Sequence, residues 1–330
     1  MHNLLDPALL FFVIGAFAGA IRSNLEIPAA ISRFLSLYLL MALGLKGGFA
    51  LSASGLTANV GWSLAAAVTL ALTIPLLGYM LLRRIVSGFD AAAIAATYGS
   101  VSAVTFVTAV QYLENHDIAY GGHMAAAMAL MESPAIIMAV IFANQLRRHP
   151  APVGMTTSEH TSGKTPGSIG KVLHESFTDG AQLLLLGAMV VGLLTGEAGK
   201  AAMQPFSGDL FKGMLSFFLL DMGLMAARNW PRGQGQSLAL MAYAVIAPLV
   251  HAGLALALAW LLNLPVGDTA LLMVLAASAS YIAVPAVLRF ALPEAQPSLY
   301  FGLSLGVTFP LNILLGIPAY VHLAQAVMTP

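Results

Sequence analysis

Apolar stretches of membrane-spanning length recur along almost the whole chain, and they constrain the fold more than any other feature. A helix rises about 1.5 Å per residue, so about 20 apolar residues cross the hydrocarbon layer of a bilayer. Windows of this kind, bounded by charges, prolines and glycines, predict about ten spans. They lie near 4–21, 29–45, 60–81, 89–113, 121–146, 178–196, 210–227, 237–262, 268–291 and 298–325.

Composition supports an all-α integral membrane protein. Hydrophobic residues make up 59% of the 330 residues and charged residues only 8%, whereas soluble domains carry about three times that share of charge. The net charge is zero and cysteine is absent. No basic surface for nucleic acid is therefore predicted, and disulfides and thiolate metal sites are excluded. Because a charged leader and a cleavage site are missing, window 4–21 is predicted to be a span and not a signal peptide.

The distribution of cations predicts the orientation in the membrane. If the N-terminus lies outside, the only cations on the external side are Lys46, Lys200 and Lys212. The polar segment 147–171 then lies on the opposite side of the membrane. The cation-rich side should be cytoplasmic, so both termini are predicted to lie outside. That side holds Arg22, Arg33, Arg83, Arg84, Arg147, Arg148, Lys164, Lys171, Arg228, Arg232 and Arg289. We therefore predict a first five-helix repeat at 1–146, a cytoplasmic linker at 147–177 and a second repeat at 178–330.

Matching positions occur in the same order in the two halves, which predicts an internal repeat. The pairs are residues 38–45 with 217–224, Pro75 with Pro248, Asp90 with Asp268, residues 99–102 with 277–280, and Pro134 with Pro310. Each pair joins one span to the span five positions later. Five is odd, so the two repeats should insert with opposite topology, as in many transporters.

Two apolar windows are interrupted at their centres by small and hydroxyl residues. Residues 98–105 read YGSVSAVT and residues 277–281 read ASASY. Glycine and serine propagate helices poorly, with Gly99 freeing the backbone, so spans four and nine are predicted to be broken and to cross at the membrane midplane. Each break exposes a half-helix N-terminus, near Ser102 and near Ser280, whose free amides and partial positive charge favour an anion.

The hydroxyl groups at the breaks can donate hydrogen bonds to a small oxyanion. These candidates are Ser100, Ser102, Thr105, Ser278, Ser280 and Tyr281. The alternative explanation is that small residues merely allow close helix packing, as they do at many membrane interfaces. Because two such clusters occur at equivalent positions of the predicted repeat, a binding site is favoured over helix packing as their explanation. Asp90 and Asp268 stand at span starts, where helix N-capping is expected.

Two carboxylates lie in mid-span, where an unpaired charge costs several kcal/mol. Glu132 precedes Pro134 in span five, and Asp221 lies in span seven. Glu132, its repeat equivalent Thr308 and nearby Asn312 could supply hard oxygen ligands to sodium. Capping of an amide or binding of a proton is an equally weighted role for Glu132. Asp221 is expected to make a packing or inter-subunit hydrogen bond more readily than to touch the solute.

No residues stand at the spacing of a zinc site or a catalytic triad, so neither an enzyme nor an organic cofactor is expected. Several segments, in contrast, resemble the bacterial sodium-dependent bicarbonate transporter family. They are GSVSAVTF at 99–106, YLL at 38–40, GLKGG at 44–48, MESP at 131–134 and LDMGL at 220–224. These segments run through both halves of the chain.

The resemblance implies a ten-span inverted repeat with a core and a gate domain, each drawn from both repeats. It also implies a homotrimer in the membrane lipid that imports bicarbonate with sodium, and for some members a small cytoplasmic regulatory protein. The implied substrate contacts are Gly99, Ser100, Val101, Ser102, Thr105, Ala277, Ser278, Ala279 and Ser280, and we predict Ala103 and Tyr281 beside them. Sodium ligands are less directly indicated, and Glu132, Ser102, Thr105, Thr308 and Asn312 are predicted.

Sequence analysis thus predicts a secondary transporter of the bacterial inner membrane that imports bicarbonate with sodium by alternating access. One alternative is a sodium-coupled symporter for a small organic anion, although crowded small residues favour a small solute. The other is a sodium/proton antiporter of similar architecture. Antiporters normally carry an aspartate or lysine at the crossing, where this chain has serines and tyrosine.

Overall fold

The structure is a computed structural model that describes residues 6–55, 57–148, 180–233, 237–281 and 283–329. Helices are the only regular elements in these ranges, which confirms the all-α class. The predicted linker 147–177 lies, beyond its first two residues, outside the described residues. In chain order the helices are α1 (Pro7–Ala20), α2 (Ala29–Ser54), α3 (Ala58–Leu82), α4 (Gly88–Gly99), α5 (Ala103–Asn115), α6 (Met124–Arg148), α7 (Gly180–Met203), α8 (Phe211–Gly233), α9 (Leu238–Leu261), α10 (Val266–Ala277), α11 (Ala283–Ala291) and α12 (Pro297–Met328).

Seven helical stretches in the described ranges are long and apolar enough to cross a membrane. Two of them contain more than one helix. Leu183–Arg228 covers 46 residues of α7, a π-helical turn and α8, which is about twice the length that one crossing needs. Gly88–Asn115 joins α4 and α5, while α1 and α10 are apolar but shorter. The protein is therefore a multi-pass membrane protein.

Close glycine contacts pair the outer helices across the two halves of the chain. α1 lies along α8, and α2 lies along α7. A Cβ atom built on Gly223 would lie 2.1 Å from the Phe12 carbonyl oxygen, and one on Gly44 would lie 2.4 Å from that of Leu185. Such contacts are possible only for glycine, and small residues of this kind let membrane helices approach closely. Gly44 and Gly223 also correspond in the predicted repeat.

The helices that lead into the two interruptions lie at the centre of the molecule. Residues 91–96 of α4 and 270–277 of α10 are each at most 1% exposed. Residues this inaccessible on every face of a helix are surrounded by other parts of the protein. The ends of α4 and α10, at Gly99 and Ala277, are therefore enclosed by protein and not by lipid.

Asp90 and Asp268 tie the first turns of α4 and α10 to the opposite half of the chain. Asp90 Oδ1 accepts the Gln296 amide at 2.8 Å, and Asp268 Oδ1 accepts the Gly121 amide at 2.6 Å. The N-cap of α4 is Ser87, and α10 follows Pro265. The expectation that the two aspartates are N-caps is therefore wrong. Each one lies inside the first turn, where its negative charge interacts favourably with the partial positive charge of the helix N-terminus.

Candidate functional site

The chain leaves helical geometry at both interruptions. α4 ends at Gly99, Ser100 is extended (φ −96°, ψ 178°), and Ser102 is the N-cap of α5. α10 ends at Ala277, Ser278 is extended (φ −78°, ψ 163°), and α11 begins at Ala283. Residues 99–102 and 277–281 are called the serine junction below.

The two segments of the serine junction bind each other directly. The Ser102 amide donates to Ser278 Oγ at 2.9 Å. The Ser280 amide donates to the Thr97 carbonyl oxygen at 2.8 Å. Unpaired backbone groups cost several kcal/mol away from water, so these bonds stabilise the non-helical backbone where it is buried. The structure thus brings together the two stretches that the sequence singled out.

The packing at the junction requires glycine at position 99 because there is no room for a side chain. A Cβ atom there would lie 2.6–2.7 Å from three ring atoms of Pro75 on α3. Gly99 does not have a positive φ, unlike Gly55 and Gly196. The sequence argument gave it the role of freeing the backbone. Close contact with the proline ring explains the glycine instead.

The hydroxyl groups at the junction have different partners. Ser102 Oγ accepts the Thr105 amide at 3.2 Å and the Thr105 hydroxyl at 3.0 Å. Ser280 Oγ accepts the Val284 amide at 3.3 Å. The Ser100 hydroxyl is 1% exposed and has no protein partner. A buried polar group left unpaired costs about 1–3 kcal/mol, so Ser100 is available to a small polar ligand.

The first turn of α5 adds backbone donors beside these hydroxyls. By helix geometry, the first amides have no acceptor within the helix. Ser278 takes the Ser102 amide, and Ser102 takes the Thr105 amide, which leaves the amides of Ala103 and Val104. An anion next to them gains from the helix dipole and from hydrogen bonds without a buried cation.

The remaining predicted contacts complete a small, buried surface. Val101, Ala277 and Ala279 are buried, with at most 4% exposure. Ala103 is partly buried. The Tyr281 hydroxyl interacts with the Ser102 side chain and donates to the Met222 sulfur at 3.5 Å. The described part of the site therefore contains hydroxyl and amide groups with small apolar neighbours.

The predicted sodium ligands are placed at different distances from the junction. Asn312 donates to the Ala277 carbonyl oxygen at 2.8 Å and accepts the Tyr320 hydroxyl at 3.0 Å, so it touches the junction. Glu132 lies partly buried on α6. Among the described residues, no group of three or more His, Asp or Glu could hold a metal ion. The predicted sodium ligands therefore combine one carboxylate with hydroxyl and amide oxygens, all of which are hard ligands that suit a hard cation.

Thr308 has partners on two other helices. Its hydroxyl donates to the Ala244 carbonyl oxygen at 2.8 Å and bonds to the Tyr98 hydroxyl at 2.6 Å. The Ala244 carbonyl lacks its usual helix partner because Pro248, four residues later, has no N–H. Thr308 therefore joins α12 to α9 and to the last turn of α4.

Sequence reasoning missed several residues that shape the site. Nothing in the local sequence marked the Thr97 carbonyl or the Tyr320 hydroxyl, and Pro75 stood out only as a repeat position. Each of the three acts through a contact that is distant in sequence. Tyr98 stood in the stretch singled out, next to Gly99, and its position could have identified it. Asp221 accepts a hydrogen bond from the Ser32 hydroxyl, which agrees with the expected packing role.

Comparison with known families identifies the chain. No curated protein sequence matches it significantly. The profile of the Na⁺-dependent bicarbonate transporter superfamily matches residues 7–325, which include every helix described above except the last three residues of α12. The chain therefore belongs to the Na⁺-dependent bicarbonate transporter superfamily.

Proposed function

We propose that the protein is a secondary active transporter that imports bicarbonate together with sodium, and that bicarbonate binds at the serine junction. The observation that carries this proposal is the buried, unpartnered Ser100 hydroxyl beside the Ser102–Ser278 hydrogen bond. Bicarbonate is small, planar and able both to accept and to donate hydrogen bonds. Serine hydroxyls and helix amides match all of these properties.

The proposed architecture is a ten-span inverted repeat of 1–146 and 178–330 with broken, crossing helices at spans four and nine. Two symmetric sets of contacts support it. α1 packs on α8 as α2 packs on α7, a pairing that a pseudo-twofold axis relating span n to span n + 5 would produce. Asp90 binds the loop before α12, and Asp268 binds the loop before α6. Core and gate domains would each draw on both repeats.

In the proposed mechanism, sodium binds first and orders the junction. Its ligands are the oxygens of Glu132, Ser102, Thr105, Thr308 and Asn312. Bicarbonate is then held by Gly99, Ser100, Val101, Ser102, Ala103, Thr105, Ala277, Ser278, Ala279, Ser280 and Tyr281. The core next moves against the gate, so that the site opens to one side at a time. One sodium per bicarbonate would make the cycle electroneutral.

The proposed setting is the bacterial inner membrane, with both termini outside and the linker 147–177 in the cytoplasm. The distribution of arginines described above supports this orientation. A homotrimer and a small cytoplasmic regulatory protein are carried over from the family resemblance. Each can be tested separately from transport, by mass measurement in detergent and by co-purification.

Uptake of labelled bicarbonate into proteoliposomes tests the proposed function. We expect accumulation with an inward sodium gradient and only background uptake with potassium in its place. Excess unlabelled bicarbonate should compete, and pyruvate should not. Competition by pyruvate would favour the organic-anion symporter. Sodium-driven proton movement without bicarbonate uptake would favour the antiporter.

A further inference from the structure

A cavity of about 650 Å³ lies between α1, α8 and α12, apart from the serine junction. Its lining is apolar except for two arginines, Arg22 and Arg228, and includes no carboxylate among the described residues. The Arg228 guanidinium donates to the Leu25 carbonyl oxygen at 2.7 Å. The carbonyl partner does not neutralise the guanidinium. The buried Asp221 carboxylate on the same helix offsets part of the Arg228 charge, and with Arg22 added the local potential stays positive.

The cavity runs from one end of the helices to their middle. Arg22 lies two residues after the end of α1, and Arg228 lies in the last turns of α8, on the side predicted to be cytoplasmic. Phe12 and Pro310, which line the inner end, lie near the middle of α1 and α12. The wall formed by α12 has π-helical turns at Ser304–Thr308 and Asn312–Gly316. Such turns often mark functional positions in a helix.

Three aromatic rings connect the inner end of the cavity to the serine junction. The Tyr281 and Phe309 ring centres are 5.0 Å apart, and those of Phe309 and Phe12 are 5.7 Å apart. Tyr281 belongs to the junction, and Phe12 lines the cavity. Phe12 and Phe309 are each 2% exposed, so their rings separate the proposed anion site from the cavity.

We propose that this cavity is the cytoplasmic exit of the bound anion, with Arg22 and Arg228 at its mouth and the Phe12–Phe309 pair as its inner barrier. The proposal rests on the proposed function and adds a route and gating residues to it. An anion leaving the junction enters a water-filled passage whose charge favours it, and the arginines raise its local concentration at the mouth. A lipid acyl chain is the competing occupant, and the test below distinguishes it.

Cysteine labelling can test the passage directly, because the chain contains no cysteine. Leu314 lines the cavity, whereas the next residue, Leu315, is 63% exposed on the outer surface of the protein. We would introduce Leu314→Cys or, as the matched control, Leu315→Cys into the full chain. Membrane vesicles of both orientations are then treated with impermeant anionic and cationic methanethiosulfonates, with rates normalised to a free thiol.

From the cytoplasmic side, we expect Leu314→Cys to react at least about tenfold faster than Leu315→Cys, because we expect the exposed position 315 to face lipid. The anionic reagent should be favoured about threefold to tenfold, and Arg22→Gln with Arg228→Gln should remove this preference. Equal rates at the two positions would indicate lipid in the cavity and overturn the proposal. A preference for the anionic reagent that persists in the double variant Arg22→Gln, Arg228→Gln would overturn it too. Labelling does not require uptake, so failure of bicarbonate transport alone would refute the proposed function and not the passage.

Discussion

At the scale of single residues, the junction serines perform separate tasks even though they look equivalent in the sequence. Ser102 caps α5, and Ser278 accepts the Ser102 amide, so both maintain the backbone. The Ser100 hydroxyl makes no hydrogen bond within the described protein. A buried hydroxyl without a protein partner is open to a bound water, ion or ligand. The serines can therefore be separated by mutation.

Replacing Ser100 with alanine should weaken bicarbonate uptake without destabilising the protein. The substitution removes one hydroxyl that we expect to bond to a charged ligand, worth about 1.5–3 kcal/mol. We expect the KM for bicarbonate to rise at least tenfold, with the melting temperature unchanged or slightly higher. Ser216→Ala is the control, since Ser216 bonds to the Lys212 carbonyl on an exposed face of α8. Unchanged uptake by Ser100→Ala would remove this hydroxyl from the site.

Ser102→Ala and Ser280→Ala should also reduce uptake, and in addition lower stability. Each serine oxygen accepts an amide near the start of a half-helix. Loss of such a cap typically costs about 1 kcal/mol. Uptake and thermal unfolding of the same preparations measure the two effects. Full uptake in both variants would contradict a role of these two serines in binding.

Glu132→Gln should change the sodium dependence of uptake more than the bicarbonate dependence. The substitution keeps the shape of the side chain but removes the charge that we expect to face sodium. An uncharged ligand binds a hard cation more weakly, so half-maximal uptake should require at least several-fold more sodium. Uptake is measured at saturating bicarbonate over a range of sodium concentrations. An identical sodium curve would assign Glu132 to the hydrogen-bonding role.

At the scale of helices, local sequence predicted where the chain leaves helical geometry but not what surrounds those points. Glycine and serine at 99–102 weaken a helix by themselves, so the pattern is visible in the sequence. The contact between Gly99 and Pro75 depends on how α3 packs, which no local pattern contains. The same holds for Asp90, whose partner is 206 residues away. Capping preferences therefore placed the two aspartates correctly at the starts of helices but did not predict the residues that they bind.

The glycine contact between α1 and α8 should be sensitive to a single methyl group. In Gly223→Ala, the new Cβ would lie 2.1 Å from the Phe12 carbonyl oxygen, so the helices must separate. Overpacking of this kind typically costs about 1–3 kcal/mol. We expect a melting temperature several degrees lower in detergent. The control is Gly253→Ala on α9, where a Cβ meets nothing within 4 Å and alanine favours the helix. Equal stability of both variants would contradict the close packing.

The Phe12–Phe309 pair should control leakage through the proposed exit. Phe309→Ala removes the ring that contacts both Tyr281 and Phe12. We expect bicarbonate to leave preloaded proteoliposomes without sodium at least several-fold faster than from wild type. Phe34→Ala is the control, because Phe34 is a 54% exposed phenylalanine on α2. An unchanged efflux rate would show that Phe309 is not part of the barrier.

At the scale of the whole molecule, contacts on the side proposed to be external join the proposed gate to the proposed core. Lys46 on α2 binds both carboxylate oxygens of Glu114 on α5 at 3.0 Å. Asn115, the last residue of α5, donates to Asp6, the N-cap of α1, at 2.7 Å. The cavity with Arg22 and Arg228 lies at the opposite end of α1. The described conformation therefore combines polar contacts on the proposed external side with a cavity on the proposed cytoplasmic side.

Movement of the core against the gate must break the Lys46–Glu114 pair, so removing it should favour the outward-facing state. The two side chains are 20% and 32% exposed, and solvent limits a pair of this kind to about 1 kcal/mol. That energy corresponds to about a fivefold change in the ratio of two states. In Lys46→Ala, we expect cytoplasmic labelling of Leu314→Cys to slow by up to about fivefold, and the reversed pair Lys46→Glu with Glu114→Lys to restore part of the rate. Lys200→Ala is the control, since Lys200 pairs with Glu197 within α7 and its loss leaves both domains unchanged. If Lys46→Ala labels as fast as wild type, the pair does not report on the transport cycle, and its role is to hold α2 against α5.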